Sequence, residues 1–226
     1  MRRKLSLIMT TILVVLAFTA CDGKSGSKAE AARYTNYIEA IMDCSYRGEV
    51  DRYTEVVDAT TSEAEEVYKS TVEYYAYQLM AYNEVAYDYV SEDLFNQYVD
   101  LAERVMAKAK YNVNEATKVE DDYQVKIEIY PVDFNDITTE EVESYIDEFN
   151  KMLEGIDTTQ LTEEQIVAYE EQYGQDIYNI LNKYVDQIGY KDVVTKVVII
   201  EVDEDGYYGI PDEDWYDIDD YVVDMK

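Results

Sequence analysis

Glu201, Asp203, Asp205 and Asp212 place carboxylates at positions one, three, five and twelve of a short segment, with Gly206 at position six. Calcium takes several hard oxygens converging on one point, and this spacing can supply them. Glu in place of Asp at position one, Asp in place of Glu at position twelve, and Pro211 just before it depart from the usual loop. The same residues also read as a solvated hairpin turn in a chain with 50 acids. Downstream, Asp212, Glu213, Asp214 and Asp217 flank Trp215 and Tyr216. Carboxylates beside aromatics are the equipment of glycoside hydrolysis, which needs a raised-pKa acid opposite a second carboxylate. So many acids make proximity in sequence a poor guide, and no catalytic residue is assigned. Tyr74, Tyr82 and Trp215 are the aromatic candidates to line an apolar ligand cavity; the alternative is that they fill the core.

The chain contains no histidine. Serine and cysteine nucleophiles activated by histidine are therefore excluded within it, as are histidine-containing zinc sites. The formal charge is −31, which repels nucleic-acid phosphates and suits a basic partner or a cation-rich exterior. Tyrosine is abundant, with 25 against four Phe and one Trp. Its apolar body and polar tip suit half-burial along helix faces. Of the two cysteines, Cys44 falls within a helical pattern and is expected to be a buried thiol.

The elements that must position these groups follow from periodicity. Apolar residues at helical spacing predict helices from about Ala29 to Arg47, from Asp51 to Asp58, from about Thr61 through Tyr89, and from Ser91 through Met106. The third is expected to start on a capping box from Ser62 to Glu65. Then the period changes to two. Tyr123, Val125, Ile127 and Ile129 alternate with polar residues as the second arm of a hairpin turning at Glu120 to Asp122. Two further helices, from Thr138 to Glu154 and from Thr162 to about Ile188, interrupt the sheet. Val193 to Val202 returns as a strand. Its run Val197 to Ile200 predicts a central strand covered on both faces. An acidic turn leads to a short strand, Tyr207 to Ile210, and then a tail.

The N-terminus is the most specific segment. Arg2, Arg3 and Lys4 precede an apolar run from Leu5 to Ala20, too short to span a membrane with ease. Phe18-Thr19-Ala20-Cys21 resembles the lipobox of bacterial lipoproteins, although Phe18 stands where that family usually has Leu, Val or Ile. The resemblance implies a signal peptide over 1–20 and a diacylglycerol and acyl (palmitate) group on Cys21. It implies anchoring at the outer face of the cytoplasmic membrane, which is the cell surface of a Gram-positive bacterium. Residues 21–28 then form a Gly/Ser tether, and 29–226 a single domain.

The expected fold is α+β: N-terminal helices packed on a curved antiparallel sheet of about four strands, with a helical insertion between the two hairpins. This order resembles NTF2-like and cystatin-like domains, and uncharacterised Gram-positive lipoproteins that carry such a domain. The inserted helices depart from the compact family pattern and could fill or lid its cavity. The expected function is a non-enzymatic binding or envelope-associated domain contacting an extracytoplasmic protein, peptide or glycan, without nucleic acid and without a cofactor beyond the lipid. The alternatives are an envelope hydrolase using carboxylates and a calcium-dependent adhesion module.

Overall fold

A computed structural model describes residues 26–203 and 207–224. Helix α1 (Gly26–Arg47) opens the domain and reaches three residues into the segment read as tether. It ends because Gly48 turns left-handed, with φ of 68°. The Gly48 and Glu49 N–H groups donate back to the Cys44 and Asp43 carbonyls at 3.2 and 3.1 Å, closing the last turn. A Cβ at Gly48 would stand 3.0 Å from the Tyr68 ring, so position 48 needs glycine on both counts.

Helix α2 (Val50–Val57) stops at Asp58, also left-handed. Helix α3 (Thr61–Tyr82) follows at once, capped by Thr60 and Glu63 rather than by Ser62 and Glu65. It ends at Tyr82, earlier than expected, and a 3-10 turn over Tyr87–Tyr89 leads to α4 (Glu92–Met106).

Strands β1 (Lys110–Val113) and β2 (Thr117–Val119) lie end to end along one edge of β3 (Asp122–Tyr130). The tight turn at Glu120 and Asp121 connects β2 to β3, with Glu120 at φ of 56°. A short strand, β4 (Val132–Asp133), precedes the inserted pair α5 (Asn135–Leu153) and α6 (Glu163–Tyr184). Helix α6 starts on a full Thr162–Gln165 capping box. Then come β5 (Gly189–Tyr190), β6 (Val194–Val202) and β7 (Tyr208–Gly209). The C-terminal segment read as a tail is helix α7 (Asp212–Val222), followed by β8 (Val223–Asp224).

The fold is therefore α+β. Four ranks, β1/β2, β3, β6 and β7, make a curled antiparallel half-barrel, with β3 and β6 paired from Tyr123↔Ile200 to Ile129↔Val194. A second, small sheet joins β5, β4 and β8. The half-barrel buries one face only. Tyr123, Val125, Ile127, Ile129, Val198 and Ile200 point into the core, while Val197 is 41% exposed. The apolar run in β6 is thus not covered on both sides, contrary to the reading of its sequence. Helices α1 and α7 cover the inner face, and the inserted α5–α6 pair packs through α6 on α4 instead. The concavity is filled by the chain's own first and last helices.

The core is rich in tyrosine, and several of its hydroxyls are held by acids or carbonyls. Tyr111 donates to Asp43 at 2.8 Å, Tyr98 to the Gly174 carbonyl at 2.8 Å, and Tyr173 to the Asn83 carbonyl at 2.9 Å. Cys44 is a free buried thiol whose Sγ lies 3.5 Å from the Ala64 carbonyl. Burial pushes it up to about 11, which makes it a poor nucleophile.

Candidate functional site: an acidic groove at the sheet edge

Where α1, α2 and α3 meet the β6–β7 end of the sheet and the start of α7, the surface opens into a groove of about 730 Å³. That volume falls in the range of ligand clefts. Apolar and aromatic side chains form its floor: Tyr37 and Ile41 from α1, Tyr53 and Val57 from α2, Val67 from α3, and Tyr208, Ile210 and Trp215 beyond the sheet. Its rim carries Asp58, Glu63, Glu66, Glu201, Asp203 and Asp212, all exposed. No lysine or arginine is among the described residues that line it.

Local sequence places each part. The sharp α2–α3 corner through Asp58 sets Asp58, Glu63 and Glu66 on one lip. Thr60 Oγ1 accepts from the Glu63 N–H at 3.3 Å, and the Glu63 carboxylate accepts from the Thr60 N–H at 2.8 Å. The backbone and side-chain hydrogen bonds from Thr60 hold the Glu63 carboxyl below its ordinary value. The other lip carries Glu201 and Asp203 at the end of β6, where Asp203 Oδ1 accepts from the Tyr207 N–H at 2.8 Å.

Trp215 is fixed from behind. Its ring stacks on Tyr46, centroids 6.0 Å apart and planes 18° apart. Tyr46 in turn donates to Asp219, four residues after Trp215 on α7, and the Asp219 carbonyl accepts from Tyr75 at 3.0 Å. Asp214 adds a third tie, accepting from the Ile199 N–H of β6 at 2.9 Å, so α7 closes the part of the β6 edge that β7 leaves open.

On the floor, Tyr208 packs edge-on against Tyr37 and Tyr34, with centroids at 4.9 and 5.1 Å. The Arg33 guanidinium lies over the Tyr208 ring at 4.5 Å. Tyr208 is 3% exposed, and its hydroxyl has no hydrogen-bond partner among the described residues. Burial first, then the neighbouring Cys44 and Glu63, pushes Tyr53 up to about 12, so it enters the groove as a neutral phenol.

The residues singled out from the sequence divide. Glu201, Asp203, Asp212 and Trp215 all line this groove. Asp205 lies outside the described residues, as does Cys21. Among the described residues no three acidic or thiol side chains cluster to hold a metal ion. Tyr74 and Tyr82 lie outside the groove, 37% and 47% exposed. The reason is phase on α3: Tyr75 and Leu79 take the core-facing positions, which turns Tyr74 and Tyr82 outward. Tyr37, Tyr53 and Tyr208 were not singled out. Tyr53 and Val57, four residues apart on α2, carry the only local signal, a short apolar stripe.

A second depression of about 500 Å³ lies between residues 88–91 and α6. Within it the Glu171 carboxylate accepts both the Ser91 N–H and the Ser91 hydroxyl at 2.6 Å.

No protein-family model and no curated protein sequence matches the chain. Among solved structures it is similar to a candidate lipoprotein, ycdA, from Bacillus subtilis subsp. subtilis str. 168. The likeness is one of fold. The TM-score is 0.53 at 13% identity, over 86% of this chain and 58% of that one. The chain thus spans less than two thirds of the protein it matches. No described helix is long and apolar enough to cross a membrane.

Proposed function

We propose that this chain is a lipid-anchored, extracytoplasmic binding protein rather than an enzyme, held by Cys21 at the outer face of the cytoplasmic membrane and presenting the acidic groove to a ligand. The single observation that carries the binding reading is the groove: among the described residues, an apolar, aromatic floor inside a rim of six carboxylates with no lysine or arginine. Apolar floor gives affinity and rim charge gives selectivity, the division of labour found in receptor surfaces. The absence of histidine removes the commonest acid–base group and supports a non-catalytic role.

The anchoring part rests on the sequence from Arg2 to Cys21, and the fold shared with a candidate lipoprotein supports it. Residues 1–20 are the signal peptide in this reading, and Cys21 to about Lys28 join the anchor to the domain. The helices packed in a curled antiparallel sheet support an NTF2-like or cystatin-like assignment.

The test is detergent-phase partitioning of the full-length protein expressed in a bacterium, with Cys21→Ser beside it. The native protein is expected in the detergent phase, labelled by fatty acid, with more than a tenfold excess over the aqueous phase. Cys21→Ser is expected to lose the label and leave that phase. Equal partitioning of the two would overturn the anchor.

A further inference from the structure

We propose that the groove takes an extended peptide segment bearing lysine or arginine side chains, laid along the free edge of β7; this rests on the binding reading above. Three independent features point to that occupant.

The first is charge. Asp58, Glu63, Glu66, Glu201, Asp203 and Asp212 all line the cleft, no lysine or arginine is among the described residues that line it, and the nearby Arg33 guanidinium is taken up over the Tyr208 ring. A cationic side chain entering from solvent gains attraction from both lips, whereas an acidic segment meets like charge on each side.

The second is the backbone. β7 is the last rank of the half-barrel, and among the described residues no strand pairs with its outer edge. The Asp203 N–H donates to the Tyr207 carbonyl at 2.8 Å, and β7 continues antiparallel to β6 through Val202↔Tyr208 and Glu201↔Gly209. The antiparallel alternation then turns the Tyr208 N–H and C=O away from β6. Residues 207–211 all line the groove; Tyr208 itself is 3% exposed, and the half-buried Gly209 and Ile210 are the part of this segment that a ligand reaches. An extended main chain satisfies such an edge by adding one strand, and neither a sugar nor a polyamine can do so in register.

The third is the floor. Alternate side chains of an added strand point to opposite sides. One set is directed to the apolar floor of Ile41, Val57, Val67 and Trp215, and the other to the carboxylate rim. The matching segment alternates apolar and basic residues.

Trp215 is the sole tryptophan of the chain and lies in the groove wall, so its emission reports occupancy directly. The experiment titrates the full-length protein in detergent micelles with a capped heptapeptide of alternating lysine and leucine. Three controls accompany it: the glutamate-for-lysine peptide, the lysine peptide with alternate backbone nitrogens methylated, and spermidine. A protein variant carries Glu66→Lys with Glu201→Lys. Both positions are exposed rim acids outside the capping box, and circular dichroism checks the fold.

The lysine peptide is expected to shift Trp215 emission saturably. Affinity is expected to fall at least tenfold in the double variant, about tenfold on N-methylation, and about tenfold between 50 and 500 mM salt. Any of three results overturns the proposal: equal binding of acidic and basic peptides, unchanged affinity after the two charge reversals, or spermidine binding as tightly as the peptide. Failure here with Cys21-dependent partitioning intact removes the ligand class and leaves the anchor. Loss of partitioning with the titration intact does the reverse.

Discussion

Asp219 sits where a carboxylate is costly. It faces Tyr46 of α1 and Tyr75 of α3, with Asp220 beside it on α7. Burial pushes its carboxyl up to about 6; the hydrogen bond from Tyr46 pulls the other way, and Asp220 adds to the rise. A carboxyl raised in the fold contributes stability that is fully present below its unfolded value, near 4, and is lost as pH rises through about 6. The expected outcome is a domain that gains roughly 2 kcal/mol from this group between pH 7.5 and pH 4.5. Asp219→Asn keeps an acceptor for Tyr46 and removes the ionisation. Urea midpoints of the variant should therefore exceed those of the native protein at pH 7.5 and converge with them near pH 4.5; parallel pH profiles would refute the assignment. At this scale the sequence was legible in kind but not in partner. Tyrosines at helical spacing pointed to half-buried phenols, and Tyr46, Tyr98 and Tyr111 are buried with their hydroxyls paired. Which acids receive them depends on contacts spanning up to 173 residues, which no local pattern records.

The α2–α3 corner is the element most directly responsible for one lip of the groove. Thr60→Ala removes the oxygen that accepts from Glu63 N–H and breaks the capping box, at an expected cost of about 1 kcal/mol. Chemical denaturation should show that loss, while Ser62→Ala at the position the sequence favoured should be near neutral; the reverse ranking would contradict the observed cap. Thr60, Thr61 and Ser62 are all competent caps, and only the left-handed turn at Asp58 selects among them. The β3 alternation was readable because each side chain has one environment. The β6 run misled because Val197 and Ile199 are apolar without being fully covered. Helix α7 was hidden by its acids, which read as a cluster beside Trp215 and Tyr216 ahead of a short tail. Trp215, Ile218 and Val222 keep helical spacing, and Asp212, Glu213 and Asp214 are acids in a first turn, which favour a helix.

Across the whole molecule, a charge of −31 would be a general repellent if spread evenly. The fold gives part of it a direction, setting six carboxylates around one apolar cleft beside an open strand edge. Glu201, Asp203 and Asp212 stood out in the sequence, yet the acids of α2 and α3 did not, since they join the site only when α1 and α7 close on the half-barrel. The most direct test of the central claim is amide hydrogen exchange of the full-length protein with and without the basic peptide. Slowed exchange is expected along residues 208–210, in β7 and just beyond it, with smaller slowing at the start of α3. Slowing confined to residues 88–91 and α6, or none anywhere, would contradict it.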